Sequence, residues 1–203
     1  MKKIFVILSL LICSISINVY ASETNLLEWN TTPSTWAESY VSEAAEINIL
    51  PSNISGYIYE INRENFCEIL YSFLCVNGKY DESTHSNACF YDINKTSINN
   101  LAEIGIINGT GDKTFSPEMF LTREQAAVIL NRTLKFLNIE NKQEPSVNYC
   151  DFDQVSEWAK NDVSEIYQFG IMIGNDEGQF NPQSRCTTEE MIVAVMRVYE
   201  LIK

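Results

Sequence analysis

Histidine is all but absent, His85 being the only one among 203 residues. A Ser-His-Asp or Cys-His nucleophile would have to be built on it, and neither a G-x-S-x-G turn nor an orienting group supports one. Its spacing from Cys89, Cys67 and Cys75 matches no compact zinc motif, so no metal and no cofactor is expected. Positive charge is scarce as well: 14 basic residues face 27 acidic ones, for a net charge of −13. Such a chain lacks the basic surface that phosphate neutralisation demands, which excludes nucleic acid as a partner. Any anion it binds must be held by one or two local arginines.

Long apolar runs are missing beyond the first residues. MKKIFVILSLLICSISINVYA combines Lys2-Lys3, an apolar run from Ile4 to Ile17 and a small residue at Ala21. This reads as a secretory signal peptide over 1–21, too short to span a bilayer comfortably. Cys13 follows Ile12 rather than a small residue, which argues against a lipid anchor. The mature chain is therefore expected outside the cytoplasm, with no membrane insertion after cleavage. Of the six cysteines, five follow the signal, an odd number that makes a poor disulfide framework. Cys67 and Cys75 lie eight residues apart in an expected helix, about 12 Å along its axis, too far to pair.

What is present is a repeat. GIINGTGDKTFSPEMFLTREQAAVILNR from Gly105 lies over GIMIGNDEGQFNPQSRCTTEEMIVAVMR from Gly170 without a gap. Gly109/Gly174, Phe115/Phe180, Pro117/Pro182, Thr122/Thr187 and Arg132/Arg197 coincide, and an aromatic-x-Asp entry precedes each copy at Asp92 and Asp151. A more divergent copy starts at Ser34, where STWAESYVSEAAEINIL matches SEWAKNDVSEIYQFGIM from Ser156 and INRENFCEILYSFL matches LTREQAAVILNRTL. The glycine-rich stretch first suggests a phosphate loop. However, Asp112 separates Gly111 from Lys113, and the aligned copy loses Lys113 and Thr114, so the recurring part is a turn.

Each copy predicts two helices. The first is opened by Ser34 or Ser156 as a cap and closed at Asn48, Gly105 or Gly170, positions suited to a left-handed C-terminal cap. The second starts at Asn62, Thr122 or Thr187, with Gln125 and Glu190 completing capping boxes. One apolar stripe per helix cannot make a core alone, so the copies must stack. The expected boundaries are 22–87, 88–145 and 146–203, joined by polar segments near 79–88 and 138–148. The repeats occupy the whole mature chain and leave no room for a catalytic domain, so no enzyme is expected.

Trp36-Ala37, Trp158-Ala159, the GIING and GIMIG turns, the Phe-x-Pro pairs and LTREQ at Leu121–Gln125 strongly resemble the S-layer homology family. INREN at Ile61–Asn65 and CTTEE at Cys186–Glu190 are weaker matches. The resemblance implies an all-α, pseudo-threefold unit with one helix per repeat in a central three-helix bundle. It also implies a non-catalytic cell-envelope anchoring module whose inter-repeat grooves hold secondary cell wall polysaccharide, anionic and pyruvylated. The protein would sit at the cell surface or S-layer of a Gram-positive-type bacterium, alone or with other envelope proteins.

Carried over by position, the resemblance makes Arg123 and Arg63 the anionic contacts, with Thr122, Glu124, Trp36, Trp158, Gly109 and Gly174 around the ligand. Thr188 stands where the third arginine would be and cannot make a bidentate contact to carboxylate. An arginine at a helix start lies beside unpaired backbone N–H groups, which would favour a carboxylate twice. Glu64 or Glu124 would position that arginine by a salt bridge. Trp36 and Trp158 either stack on a sugar ring or fill space between repeats. The rival reading is a surface protein-interaction or scaffold module that keeps the fold with a degenerate glycan site.

Overall fold

Helices begin where a side chain can accept the first unpaired backbone N–H groups, and three sites of this chain meet that condition. Asn62, Thr122 and Thr187 each adopt extended backbone and accept a hydrogen bond from the amide three residues on. At Thr122 and Thr187 the side chains of Gln125 and Glu190 reach back to complete the box. Such caps contribute about 1 kcal/mol each. The structure, a computed structural model, describes residues 32–52, 54, 56–81, 83, 87–141 and 146–203; the signal peptide and His85 lie outside the described residues.

Among the described residues the chain is all-α. Its helices are α1 (Glu38–Glu46), α2 (Arg63–Val76), α3 (Thr96–Glu103), α4 (Arg123–Phe136), α5 (Lys160–Gln168) and α6 (Thr188–Glu200). A 3-10 turn covers Phe152–Gln154, and extended pairing is limited to isolated bridges. The three short helices stop at the expected positions: Asn48, Gly105 and Gly170 have φ of 60°, 78° and 68°. Only glycine, or asparagine at small cost, fills that left-handed region readily.

The serine caps need correction. Helices α1 and α5 start four residues after Ser34 and Ser156, at Glu38 and Lys160, without a side-chain cap. A turn comes first, Ala37 N–H donating to Ser34 O and Ala159 N–H to Ser156 O. The serines are held from outside. Ser156 donates its N–H and Oγ–H to the two oxygens of Glu124, both at 3.0 Å. Ser34 donates in the same way to Glu189, at 2.8 and 2.7 Å. Lys95, at the corresponding entry to α3, pairs with Glu64 at 2.5 Å.

The helices therefore do not pair as the repeats suggest. Two short helices pack on the long helix of the copy before them, α3 on α2 and α5 on α4, and α1 of the first copy packs on α6, the last helix of the chain. Helix α6 also packs against both α2 and α4. Ala37, Val41 and Ala44 of α1, and Ala159, Val163 and Ile166 at α5, are buried as their spacing demands. Phe66, Leu70, Phe73 and Leu74 of α2 meet Leu130 and Leu134 of α4 and Val195 and Val198 of α6 in one apolar core. Leu137 and Ile202, just past the ends of α4 and α6, are only partly buried.

The segments that lead into the long helices close a ring. Ile61 N–H donates to Cys186 O, Cys186 N–H to Leu121 O, and Leu121 N–H to Ile61 O, at 2.9 to 3.1 Å. Each residue precedes a helix cap, and their side chains are at most 1% exposed. Three buried backbone donors and three acceptors are thus satisfied by one another.

Candidate functional site

Arg123 and Arg63 are the first residues of α4 and α2, and the loops that receive them are built alike. Asp151 accepts from Phe180 N–H and Asn181 N–H, both at 2.8 Å, and Asp92 accepts from Phe115 N–H and Ser116 N–H at 2.8 and 2.7 Å. This is the task of the aromatic-x-Asp entries. The turns so fixed aim one carbonyl at each arginine. Arg123 Nε donates to Phe180 O at 2.6 Å and Arg63 Nε to Phe115 O at 3.0 Å. Each guanidinium also lies over the phenylalanine ring, 5.3 Å from Phe180 and 4.8 Å from Phe115.

The backbone amides beside these arginines are already occupied, contrary to expectation. Arg123 N–H donates to Ser184 O and Glu124 N–H to Pro182 O, each at 3.0 Å, and Arg63 and Glu64 donate to Met119 O and Pro117 O. An anion at these positions meets the arginine side chain rather than free helix amides. Glu124 does not position Arg123 either; it is 3% exposed and spent on Ser156. Arg123 pairs instead with Glu190 of α6, Nη1 to Oε1, at 2.7 Å.

The two arginines then part company. Arg63 is 5% exposed, and its Nη2 donates to Asn108 O at 3.0 Å. Burial lowers its pKa, while Cys67 and Asp92 oppose the shift. It is a buried tie between α2 and the 105–117 segment. Arg123 borders open space. A cleft of about 640 Å³ is lined by Trp36, Arg123, Gly174, Glu190 and Arg197, with Ile171 to Ile173 as its wall. A second, polar pocket of about 180 Å³ shares Arg123, Glu190 and Gly174 and adds Asn181, Ser184 and Arg185.

Of the residues expected at a site, Arg123, Trp36 and Gly174 are thus brought together, from three different segments. Thr122 stays in its capping role, its Oγ1 accepting from Gln125 N–H. Arg63, Gly109, Glu124 and Trp158 line neither pocket. Trp36 and Trp158 are 52% and 58% exposed, so neither fills space between repeats. Thr188 is buried and turned inward, its N–H and Oγ1–H both donating to Tyr59 O at 2.8 and 3.3 Å.

Gly174 and Gly109 serve close approach. A Cβ on Gly174, at φ 80°, would lie 2.8 Å from Gln179 O, and one on Gly109 would lie 2.5 Å from Thr114 O. The segment between Gly109 and Thr114 is a tight turn, closed by Thr110 N–H donating to Thr114 O at 2.8 Å, with Lys113 at φ 52°. Among the described residues Cys67, Cys89, Cys150 and Cys186 are free thiols. Burial pushes Cys67 and Cys186 up to about 12, so at neutral pH both are inert.

Arg197 was not singled out from sequence, although it coincides with Arg132 in the repeat. It lies near the end of α6, where an arginine ordinarily complements the helix dipole. The fold folds α1 over it, so that Arg197 stacks at 5.9 Å on Tyr40, donates to Ile171 O at 3.0 Å and faces the same cleft as Arg123. Arg132 has a different neighbour: with the Asn108 amide turned to satisfy both groups, its oxygen accepts from Arg132 at 3.2 Å.

The chain is similar to an endoglucanase of Bacillus sp. (strain KSM-635), 34% identical over 128 residues that make up 61% of this chain and 13% of that protein. It is 29% identical over 134 residues to a cellulosome-anchoring protein of Acetivibrio thermocellus, covering 64% of this chain and 29% of that one. With the S-layer protein EA1 of Bacillus anthracis it shares 26% identity over 105 residues, 52% of this chain and 12% of the relative. The chain thus spans less than a third of the length of these relatives. The S-layer homology domain matches residues 91–127 and 148–192. Each matched segment holds one entry aspartate, one glycine turn and one cap of the kind described above, and over these two segments the chain matches the S-layer homology family.

Proposed function

We propose that the chain is a non-catalytic cell-envelope anchoring module that binds an anionic secondary cell wall polysaccharide, with a pyruvylated sugar as the bound unit, in the Arg123 cleft. The observation that carries this reading is the meeting of Arg123, Arg197 and a half-exposed Trp36 around one cleft of about 640 Å³. An indole face stacks on a sugar ring and two guanidinium groups hold its carboxylate, so local charge outweighs the overall acidity of the chain. Among its relatives are a protein named for cellulosome anchoring and one named for the S-layer. We read the ring of Ile61, Cys186 and Leu121 as the axis of three pseudo-equivalent repeats, of which only the middle one presents an accessible arginine at the start of its long helix.

The rival, a surface protein-interaction module, draws support from the burial of Arg63 and Thr188 at the two other corresponding positions. Sedimentation with sacculi from the producing cell, native or stripped of secondary polymer, separates the readings. The anchoring module pellets with native sacculi and stays in solution with stripped ones. Equal pelleting with both would sink the polysaccharide reading. Arg123→Ala is expected to weaken pelleting at least about tenfold, the loss of a charge-assisted contact, with helical circular dichroism unchanged.

A further inference from the structure

The ion pair between Arg123 and Glu190 separates the larger cleft from the smaller polar pocket, since both residues line both. Glu190 has a second task. Its Oε2 accepts from Thr187 N–H at 2.8 Å, completing the cap of α6. The same cap is built at α4 without a charge: Gln125 Oε1 accepts from Thr122 N–H at 3.3 Å. Capping therefore requires an acceptor and not an anion, and the negative charge at 190 acts on Arg123.

Two contacts besides that charge also hold Arg123 in place. Its Nε bond to Phe180 O and its position over the Phe180 ring recur at Arg63 over Phe115, in the repeat whose cap residue is the neutral Gln125. An arginine so anchored keeps its orientation while one nitrogen is free to change partners. Glu190 side-chain exposure is 31% and that of Arg123 12%, so the pair sits at the mouth of the site rather than in the core.

We propose that Glu190 is a built-in competitor: its carboxylate occupies Arg123 Nη1 in the empty protein, and the carboxylate of an acidic sugar displaces it, opening the two pockets into one groove. This rests on the anchoring reading above. A neutral sugar that pushes Glu190 aside leaves two charges unpaired, whereas an acidic one restores the pair. Glu190 thereby selects acidic over neutral glycans at some loss of affinity. Once it swings out, the ligand passes from Trp36 and Arg197 on one side to Asn181, Ser184 and Arg185 on the other, a path for more than one sugar unit.

The test is Glu190→Gln, which keeps the cap as Gln125 does and removes only the charge. A partly exposed pair is worth up to about a fivefold change in an equilibrium constant, so the variant is expected to bind native sacculi about two- to fivefold more tightly. Sodium acetate, followed by the Arg123 Nε–H resonance at constant chloride, should saturate the variant at correspondingly lower concentration. Glu190→Ala, which sacrifices one cap hydrogen bond, should move both readouts the same way. If Glu190 merely positions Arg123, both variants bind more weakly. Unchanged or weaker binding by the variants, with polymer-dependent pelleting of the parent protein abolished by Arg123→Ala, overturns the competitor and leaves the anchoring reading standing. Polymer-independent pelleting of the parent protein overturns both.

Discussion

Arg63 and Arg123 occupy matching helix starts and dock on matching carbonyls, yet they do different work because of what covers them. Arg63 is closed over and gives its Nη2 to Asn108 O, whereas the Arg123 Nη1 pairs with the Glu190 carboxylate at the edge of a cleft. Arg63→Ala should therefore cost stability, not binding. It leaves the Phe115 and Asn108 carbonyls without their donor, at about 1–3 kcal/mol, and should lower the urea midpoint while sacculus pelleting of the folded fraction is retained. A lost pelleting activity at unchanged midpoint would assign Arg63 to the ligand after all. The motif was legible at both positions; burial, which separates them, was not, because it depends on how the 105–117 segment packs over α2.

At the scale of elements, the helix entries are secured across copies. Glu124 and Glu189 are 3% and 4% exposed, and each spends its carboxylate on the serine that leads into the short helix packed on its own. Ser156→Ala removes the Oγ–H partner of a buried carboxylate oxygen and should destabilise the fold by about 1–3 kcal/mol. A midpoint within error of the parent protein would show the contact to be incidental. Asp92, which fixes the Phe115 turn, supplies a pH dependence. Its carboxyl lies below the usual aspartate range, chiefly because Phe115 N–H donates to it and then because Ser116 N–H does. A carboxyl whose folded pKa is depressed stabilises above its unfolded value of about 3.9 and loses that contribution as pH falls through the folded pKa. Asp92→Asn should melt below the parent protein at pH 7, with the gap narrowing as pH falls from about 4 toward 2. A gap independent of pH would mean that charge on Asp92 plays no part.

Over the whole molecule, the packing of α1 on α6 and the backbone ring at Ile61, Cys186 and Leu121 make the copies interdependent. No copy holds its own short helix on its own long one. Unfolding in urea should then be a single transition, coincident by tryptophan fluorescence, which reports Trp29 and Trp36 of the first copy and Trp158 of the third, and by helical circular dichroism. Two separated transitions would show that the copies fold on their own. The same closure brings Trp36 to Arg123, residues 87 positions apart, and Arg197 to both.

The sequence alone determined what short-range chemistry dictates: the three capped helix starts, the left-handed stops at Asn48, Gly105 and Gly170, the buried stripes, and the repeat that names the family. Each depends on residues within a few positions of one another. Only the tertiary structure decided which long helix each short one covers, that Glu124 clasps Ser156 instead of Arg123, that the helix-start amides are spent on loop carbonyls, and that Arg197 and Glu190 complete the cleft. Those outcomes depend on the closure of the ring, where residues far apart in sequence compete for the same donors and the same space.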